Sequence, residues 1–439
     1  MGQWLGSFLR RSLRGMQMNE AKEKFRVTSL ERAWILYDVG NSAFVLLVAT
    51  LIPIFFNALA EGGGLSSVEY LAYWGYAASA VTVITAVLSP ILGTLADTRN
   101  FKKPIFTFCV AVGVIGCCAM GMASTWLPFL LIFIFAKVGF SGSLVFYDSM
   151  LSDVTVPDRM DEVSSKGYAW GYIGSCVPFV VCLALVLGAG SIGISQMTAL
   201  NLALFITAAW WLVTTLPLLR QYKQVHFVEV QEHAIRQSFA RIGHTLRHLK
   251  EDRQVFWFLL AFFCYIDGVY TIIDMATAYG TALGLDTTGL LLALLVTQIV
   301  AFPSALIFGR LSQKYASKTL IPVCIAAYIG IAVFAFFLKS QWQFWVLAVV
   351  VGMFQGGVQA LSRSHFAKII PQEKSGEYFG LFDICGKGAS FLGTMIVSVG
   401  SQLTGSANVG VGSLIVLFVV GFVLFRVSCK AGVITDSVN

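Results

Sequence analysis

GTLADTRNFKK, residues 93–103, is the stretch on which the fold turns. It joins two apolar runs, 70–92 and 104–124, through a turn that carries Arg99, Lys102 and Lys103. A helix needs about 20 mainly apolar residues to cross the hydrocarbon core, and each run is that long. Reading outward gives ten more such runs, at 33–58, 127–147, 166–188, 198–217, 254–280, 287–309, 320–338, 342–361, 377–400 and 409–428. Lysine and arginine fall almost only in alternate gaps, and the other gaps hold Lys339 alone. That bias predicts both termini and the middle loop on the cytoplasmic side. An equivalent turn, GRLSQKYASK at 309–318, follows the eighth run, so the chain reads as an internal repeat. The expectation is an all-α membrane protein with twelve transmembrane helices in two pseudo-symmetric six-helix bundles. The bundles are 33–217 and 254–428, joined by a linker, 218–253, and flanked by a basic segment, 1–32, and a tail, 429–439.

Composition agrees. The chain is 57% hydrophobic and 12% charged, whereas ordinary soluble domains carry roughly 25% charged residues. Its +7 net charge flanks the spans, so headgroups and insertion topology account for it and no nucleic-acid partner is expected. Nine cysteines form no CxxC pair or Cys/His cluster, which predicts packing residues with no metal or cofactor. All five histidines fall in segments expected to be cytoplasmic, so none is expected to relay protons inside the bilayer. No Ser/His/Asp set or phosphate-binding loop occurs, and an enzyme is not expected. Trp4, Leu5, Phe8, Leu9 and Leu13 fit one face of an interfacial helix or a basic disordered tail. Phe239, Ile242, Leu246 and Leu249 recur at helical spacing within the linker, predicting an amphipathic surface helix.

Charge inside the apolar runs carries the functional signal. At about 1.5 Å rise per residue, Lys137, Asp267 and Lys387 fall near mid-depth, with Asp383 one turn nearer the cytoplasm. Four charges facing lipid would cost on the order of 10–14 kcal/mol, comparable to a whole domain's stability of about 5–15 kcal/mol. They must face inward. Helical spacing puts Trp34, Asp38 and Asn41 on one stripe, and Lys137, Ser141 and Asp148 on another. Asp267, Tyr270 and Asp274 form a third, and Gln355, Gln359 and Ser362 a fourth. Runs 1, 4, 7 and 10 are therefore expected to line a cavity, with runs 3, 6, 9 and 12 toward lipid. Plainer readings stand beside these: Asp383 and Lys387 can neutralise each other four residues apart, Gln355 and Gln359 can be interhelical glue, and Asp274 fits a hydrated outer rim.

GTLADTRNFKK is similar to the loop signature of the major facilitator superfamily, departing from it at Thr98 and Asn100. ERAWILYDVGNSAF (31–44), SSKGYAWGYIG (164–174), FCYIDGVYTI (263–272) and GGVQALSRSHFAKIIP (356–371) resemble its Unknown Major Facilitator branch, related to autophagy-linked vacuolar amino-acid effluxers. The resemblance implies the major facilitator fold and alternating access. It implies that Asp97 sits at the N-terminus of the eleventh helix, where the helix dipole favours a carboxylate. There it would hold the cytoplasmic side shut, with Arg99, Arg310 or Arg363 as partner and Asp148 at the same gate. Lys137 and Asp148 depart from that branch's pattern.

The expected function is a secondary transporter of a small polar or zwitterionic solute, such as an amino acid or small peptide. Asp267 and Lys137 would supply opposite charges, Lys387 would hold a carboxylate, and Asp38 or Asp267 would carry a coupling proton. Efflux of amphipathic compounds and a non-transporting sensor are the rival readings. A monomer in the cell (inner) membrane is expected.

Overall fold

The computed structural model describes residues 26–229, 249 and 252–436, so the amphipathic patterns at 1–25 and across most of 239–253 lie outside the described residues. Thr28 opens α1 (Ser29–Ala49) with a reciprocal cap: its hydroxyl accepts from the Glu31 amide and Glu31 accepts from the Thr28 amide. The first run breaks at Thr50 and resumes as α2 (Leu51–Gly62). Pro53, which lacks an N–H, sits in that first turn. Then follow α3 (Ser67–Ala96), α4 (Lys102–Met120), α5 (Trp126–Ser149), the short α6 (Leu151–Val154), α7 (Met160–Leu187) and α8 (Gln196–Gln221). After the linker come α9 (Arg253–Ala282), α10 (Thr287–Leu311), α11 (Ser317–Phe336), α12 (Gln341–Ile369), α13 (Ser375–Thr404), α14 (Ala407–Gly412) and α15 (Ile415–Asp436).

Eleven segments among the described residues are long and apolar enough to cross a bilayer. The remaining expected run, 377–400, lies in α13, which has 30 residues but carries Glu377, Asp383 and Lys387. α12 continues eight residues past the expected end of its run at 361, taking Arg363 and His365 into the helix. A charged residue looked like a helix boundary by hydropathy. It is not one here, because Arg363 is neutralised by tertiary partners. The expectation that every histidine lies outside the spanning helices is corrected in the same way, since His365 is buried within α12.

α1 packs on α7 and α8, α4 on α5 and α8, and α3 on α5. Beyond the linker, α9 packs on α13 and α15, and α12 on α10 and α11. The two groups meet where α3 lies along α13 and where α7 lies along α10 and α12. At the first seam a Cβ on Gly376 would stand 2.5 Å from the Gly93 carbonyl oxygen, so glycine at both positions lets the backbones touch. Exposed apolar residues such as Phe108, Val213, Val323 and Val416 mark α4, α8, α11 and α15 as outer helices. α3, α7 and α10 also show apolar residues outward, among them Val83, Val180 and Ile307.

Candidate functional site

Hydrogen bonds and ion pairs between the two groups of helices gather toward the face that carries the basic loops. The densest sits on Arg363, which α12 carries into the opposite group. Its Nη1 donates to Asp148 on α5 at 3.0 Å, its Nε to the Ser164 hydroxyl on α7 at 2.9 Å, and its Nη2 to the Ser164 carbonyl at 3.0 Å. The Asp38 carboxylate on α1 lies 3.6 Å from Nη2. Three rings surround the guanidinium, with centroids 4.7 Å (Trp34), 5.4 Å (Tyr147) and 4.3 Å (Tyr168) from Cζ. Trp34 and Tyr147 stack at 4.3 Å, and Tyr147 donates to Asp38 at 3.0 Å. Asn41 donates to Asp38 at 3.4 Å. Arg363 is only 2% exposed, so these partners bear its whole desolvation cost.

A second lock holds the α3–α13 seam. Asp97, just past α3, accepts from the amides of Gly376 and Glu377 at 2.7 and 2.8 Å, at the N-terminus of α13. Its cation is Lys102, fully buried, 3.7 Å from Asp97, 3.8 Å from Asp153 and 2.9 Å from the Ser375 hydroxyl. The partners expected for Asp97 are thus corrected. Arg99 points outward, pairing with Glu229 at 3.3 Å and covering the Phe227 ring, because the backbone of 97–99 is taken up by Val228. Arg310 is exposed at the end of α10, and Arg363 belongs to the other lock. The start of the linker is tied in as well: Tyr222 and the His226 amide and ring all bond Asp153, at 2.5, 2.9 and 3.0 Å.

Burial pushes the Asp97 carboxyl up to about 7, outweighing Lys102 and the two amides, while Glu377 adds repulsion. The hydrogen bond to Asp153 raises His226. Asp153 itself is held low: burial acts upward, but His226, Lys102 and Tyr222 outweigh it. A group whose folded pKa is raised stabilises below its free value, and that contribution is lost as pH rises through the folded one. Asp97 therefore weakens the lock as pH climbs from about 4 to 7, and His226 acts in the same sense. Asparagine mimics the protonated acid. The melting temperature of wild type minus that of Asp97→Asn should fall across this window and flatten above it; a difference independent of pH would remove Asp97 from the account.

Further from the basic loops, Lys137 on α5 lies with its Nζ 4.7 Å from the Phe140 centroid. An acid within its electrostatic reach is Asp274 on α9, whose side chain is exposed to solvent. Asp267 is the acid expected to oppose Lys137 in charge. Asp267 is fully buried against α13, accepting from the Gly393 amide at 2.9 Å and the Thr271 hydroxyl at 3.3 Å, with no partner for Oδ2 among the described residues. Asp274 is exposed to solvent, as a hydrated residue would be. Tyr270 is half-buried within reach of Asp148, Asp274 and Asp383. Asp383 accepts from Ser89 on α3 at 2.8 Å, across the seam. Gln355 and Gln359 are buried on α12, and Gln355 borders an apolar recess with Thr271, Met275 and Leu347. The Lys387 side chain lies outside the described residues.

Sequence reasoning placed Trp34 on the inward stripe of the first run but missed Lys102, Asp153, Ser164 and the rings of Tyr147 and Tyr168. Lys102 fits the basic-loop pattern that sets topology, and nothing local separates it from Lys103. The one available signal was Tyr147–Asp148 at the end of α5, an acid next to an aromatic where an apolar run stops.

Paired helical groups with cross-seam locks define a multi-pass integral membrane protein of the major facilitator class. Solved structures share the fold. The human organic anion transporter MFSD10 matches with a TM-score of 0.68 at 14% identity, over 91% of this chain and 99% of that one. The transporter FucP in its outward conformation matches with a TM-score of 0.71 at 16% identity, over 91% and 97%. The profile of the family described as vacuole effluxer Atg22 like matches residues 29–157 and 151–432, and the chain belongs to that family. The MFS-type transporter YxiO of Bacillus subtilis (strain 168) is 43% identical over 404 residues, 91% of this chain and 94% of that one. Autophagy-related protein 22 of Coccidioides immitis (strain RS) is 25% identical over 311 residues, 61% of this chain but only 51% of that protein. The resemblance drawn from the loop and its companion segments is borne out.

Proposed function

We propose that this protein is a secondary transporter that carries a small polar or zwitterionic solute by alternating access, in the cell membrane with both termini cytoplasmic. The units that rock are 33–217 and 254–428, linked by 218–253, and the protein works as a monomer. The observation that carries this reading is the seating of Arg363 of one unit among Asp38, Asp148 and Ser164 of the other. A buried ion pair across a seam between helix bundles is a two-position contact: made, it seals the basic face; broken, it opens it. Above that seal, Lys137 and Asp274 come from opposite units with opposite charge, which suits the two ends of a zwitterion such as an amino acid. The family's name, vacuole effluxer, favours export. Asp267 is the residue we assign to a coupling proton, because a fully buried carboxylate with one oxygen unpartnered among the described residues is costly as an anion.

Reconstituted vesicles test this directly. Counterflow of a labelled amino-acid mixture should be seen with wild type and fall at least tenfold in both Lys137→Ala and Asp274→Asn. Undiminished flux in both variants would end the assignment of these two charges. The apolar recess beside Gln355 favours a second reading, export of amphipathic compounds, which predicts that such compounds, and not amino acids, drive counterflow.

A further inference from the structure

Alternating access, if it operates as proposed above, requires Arg363 to leave its seat when the basic face opens. What it vacates is a complete receptor for an organic cation. Three rings, Trp34, Tyr147 and Tyr168, present their faces to the guanidinium, and aromatic faces attract cations most strongly where water is excluded. Asp38 and Asp148 supply the counter-charge, and the Ser164 hydroxyl and carbonyl accept two further N–H groups. All six residues belong to α1, α5 and α7, so they stay together when α12 withdraws. Trp34 is itself fixed by its indole N–H, which donates to the Tyr147 carbonyl at 2.9 Å, so the cage does not depend on the arginine for its shape.

Electrostatics then demands a replacement. Without Arg363 the cage holds two carboxylates in a poorly solvated place, with Asp383 close enough to act on Asp148. Opening is favoured only if a cation enters or protons bind. We infer that Arg363 is a tethered stand-in for the substrate, and that in the inward-open state this cage binds the cationic head, guanidinium or ammonium, of the transported solute. Binding and gating are then one competition: a cation in the cage keeps Arg363 out, and the empty cage recaptures it and closes the basic face.

Methylguanidinium and its neutral isostere methylurea separate charge from shape. In purified full-length Arg363→Ala, methylguanidinium at millimolar concentration should raise the melting temperature in a saturable way. Methylurea should not, and the response should vanish in the double variant Arg363→Ala with Asp148→Asn. Wild type should need at least tenfold more ligand, since its own arginine competes. Should Arg363→Ala not fold, Arg363→Gln replaces it. Wild type also gives an independent reading, because methylguanidinium should speed hydrogen exchange at Gly376 and Glu377, the amides bonded to Asp97. Equal responses to the two ligands would overturn the cage. If Arg363→Ala alone speeds exchange at Gly376 and Glu377 without any methylguanidinium response, protons supply the charge, and the cage inference falls while alternating access stands. Unchanged exchange there would remove alternating access and the cage with it.

Discussion

Arg363→Ala is expected to cost the closed arrangement about 3–5 kcal/mol, the usual penalty for leaving a buried ion pair without one partner. On an equilibrium that is roughly a hundred- to several-thousand-fold toward the open basic face. The size follows from what remains: Asp38 stays buried and Asp148 half-buried among rings, the first accepting from Tyr147 and Asn41. Removing the charge instead of the cation should be milder. Arg363→Ala with Asp148→Asn should therefore melt higher than Arg363→Ala alone, a non-additivity that neighbours in one network produce. Thermal melts of the four proteins of that cycle provide the check. An Arg363→Ala protein as stable and as active in counterflow as wild type would show that the contact is not a seal.

The second large effect is at Lys102. Methionine keeps its length and volume, so Lys102→Met isolates the charge. The substitution leaves Asp97 and Asp153 facing each other across the vacated ammonium, and an expected loss of about 3–5 kcal/mol again reflects a broken buried pair. Two readouts distinguish this from general damage. Lys102 holds the Asp97 carboxyl down, so its removal should shift the pH window of the lock upward, above about 7. The Val228 amide, which donates to the Asp97 carbonyl at 2.7 Å, should exchange faster because the linker start loses its anchor. Adding Asp97→Asn should abolish that pH window and restore part of the lost stability and of the Val228 protection. Lys103, whose side chain reaches the Tyr222 carbonyl at a long 3.4 Å, should tolerate the same change to methionine with little loss.

These effects show where sequence reading works and where it stops. Asp97 was legible because a carboxylate after an apolar helix, beside basic residues, has few roles within this superfamily's loop pattern. Its cation was not legible. Arg99, Lys102 and Lys103 occupy one turn, and which of them turns inward depends on the Val228 strand contact and on Asp153, 51 residues on from Lys102. Asp267 and Asp274 show the same limit. Both sit on one face of α9 at helical spacing, and periodicity cannot say which of them meets α13 and which is open to solvent. Gly393, which leaves room for the Asp267 carboxylate, decides it: a Cβ there would stand 2.7 Å from Oδ1.

By itself the sequence determined the helices, their inward charges and the superfamily, because hydrophobic length and helical period are local properties that the bilayer enforces one segment at a time. Only the tertiary structure decided which charges meet. Ionic contacts across a seam depend on how two bundles dock, and residues such as Arg363 and Asp148, 215 positions apart, acquire a shared meaning only once that docking brings them within 3.0 Å.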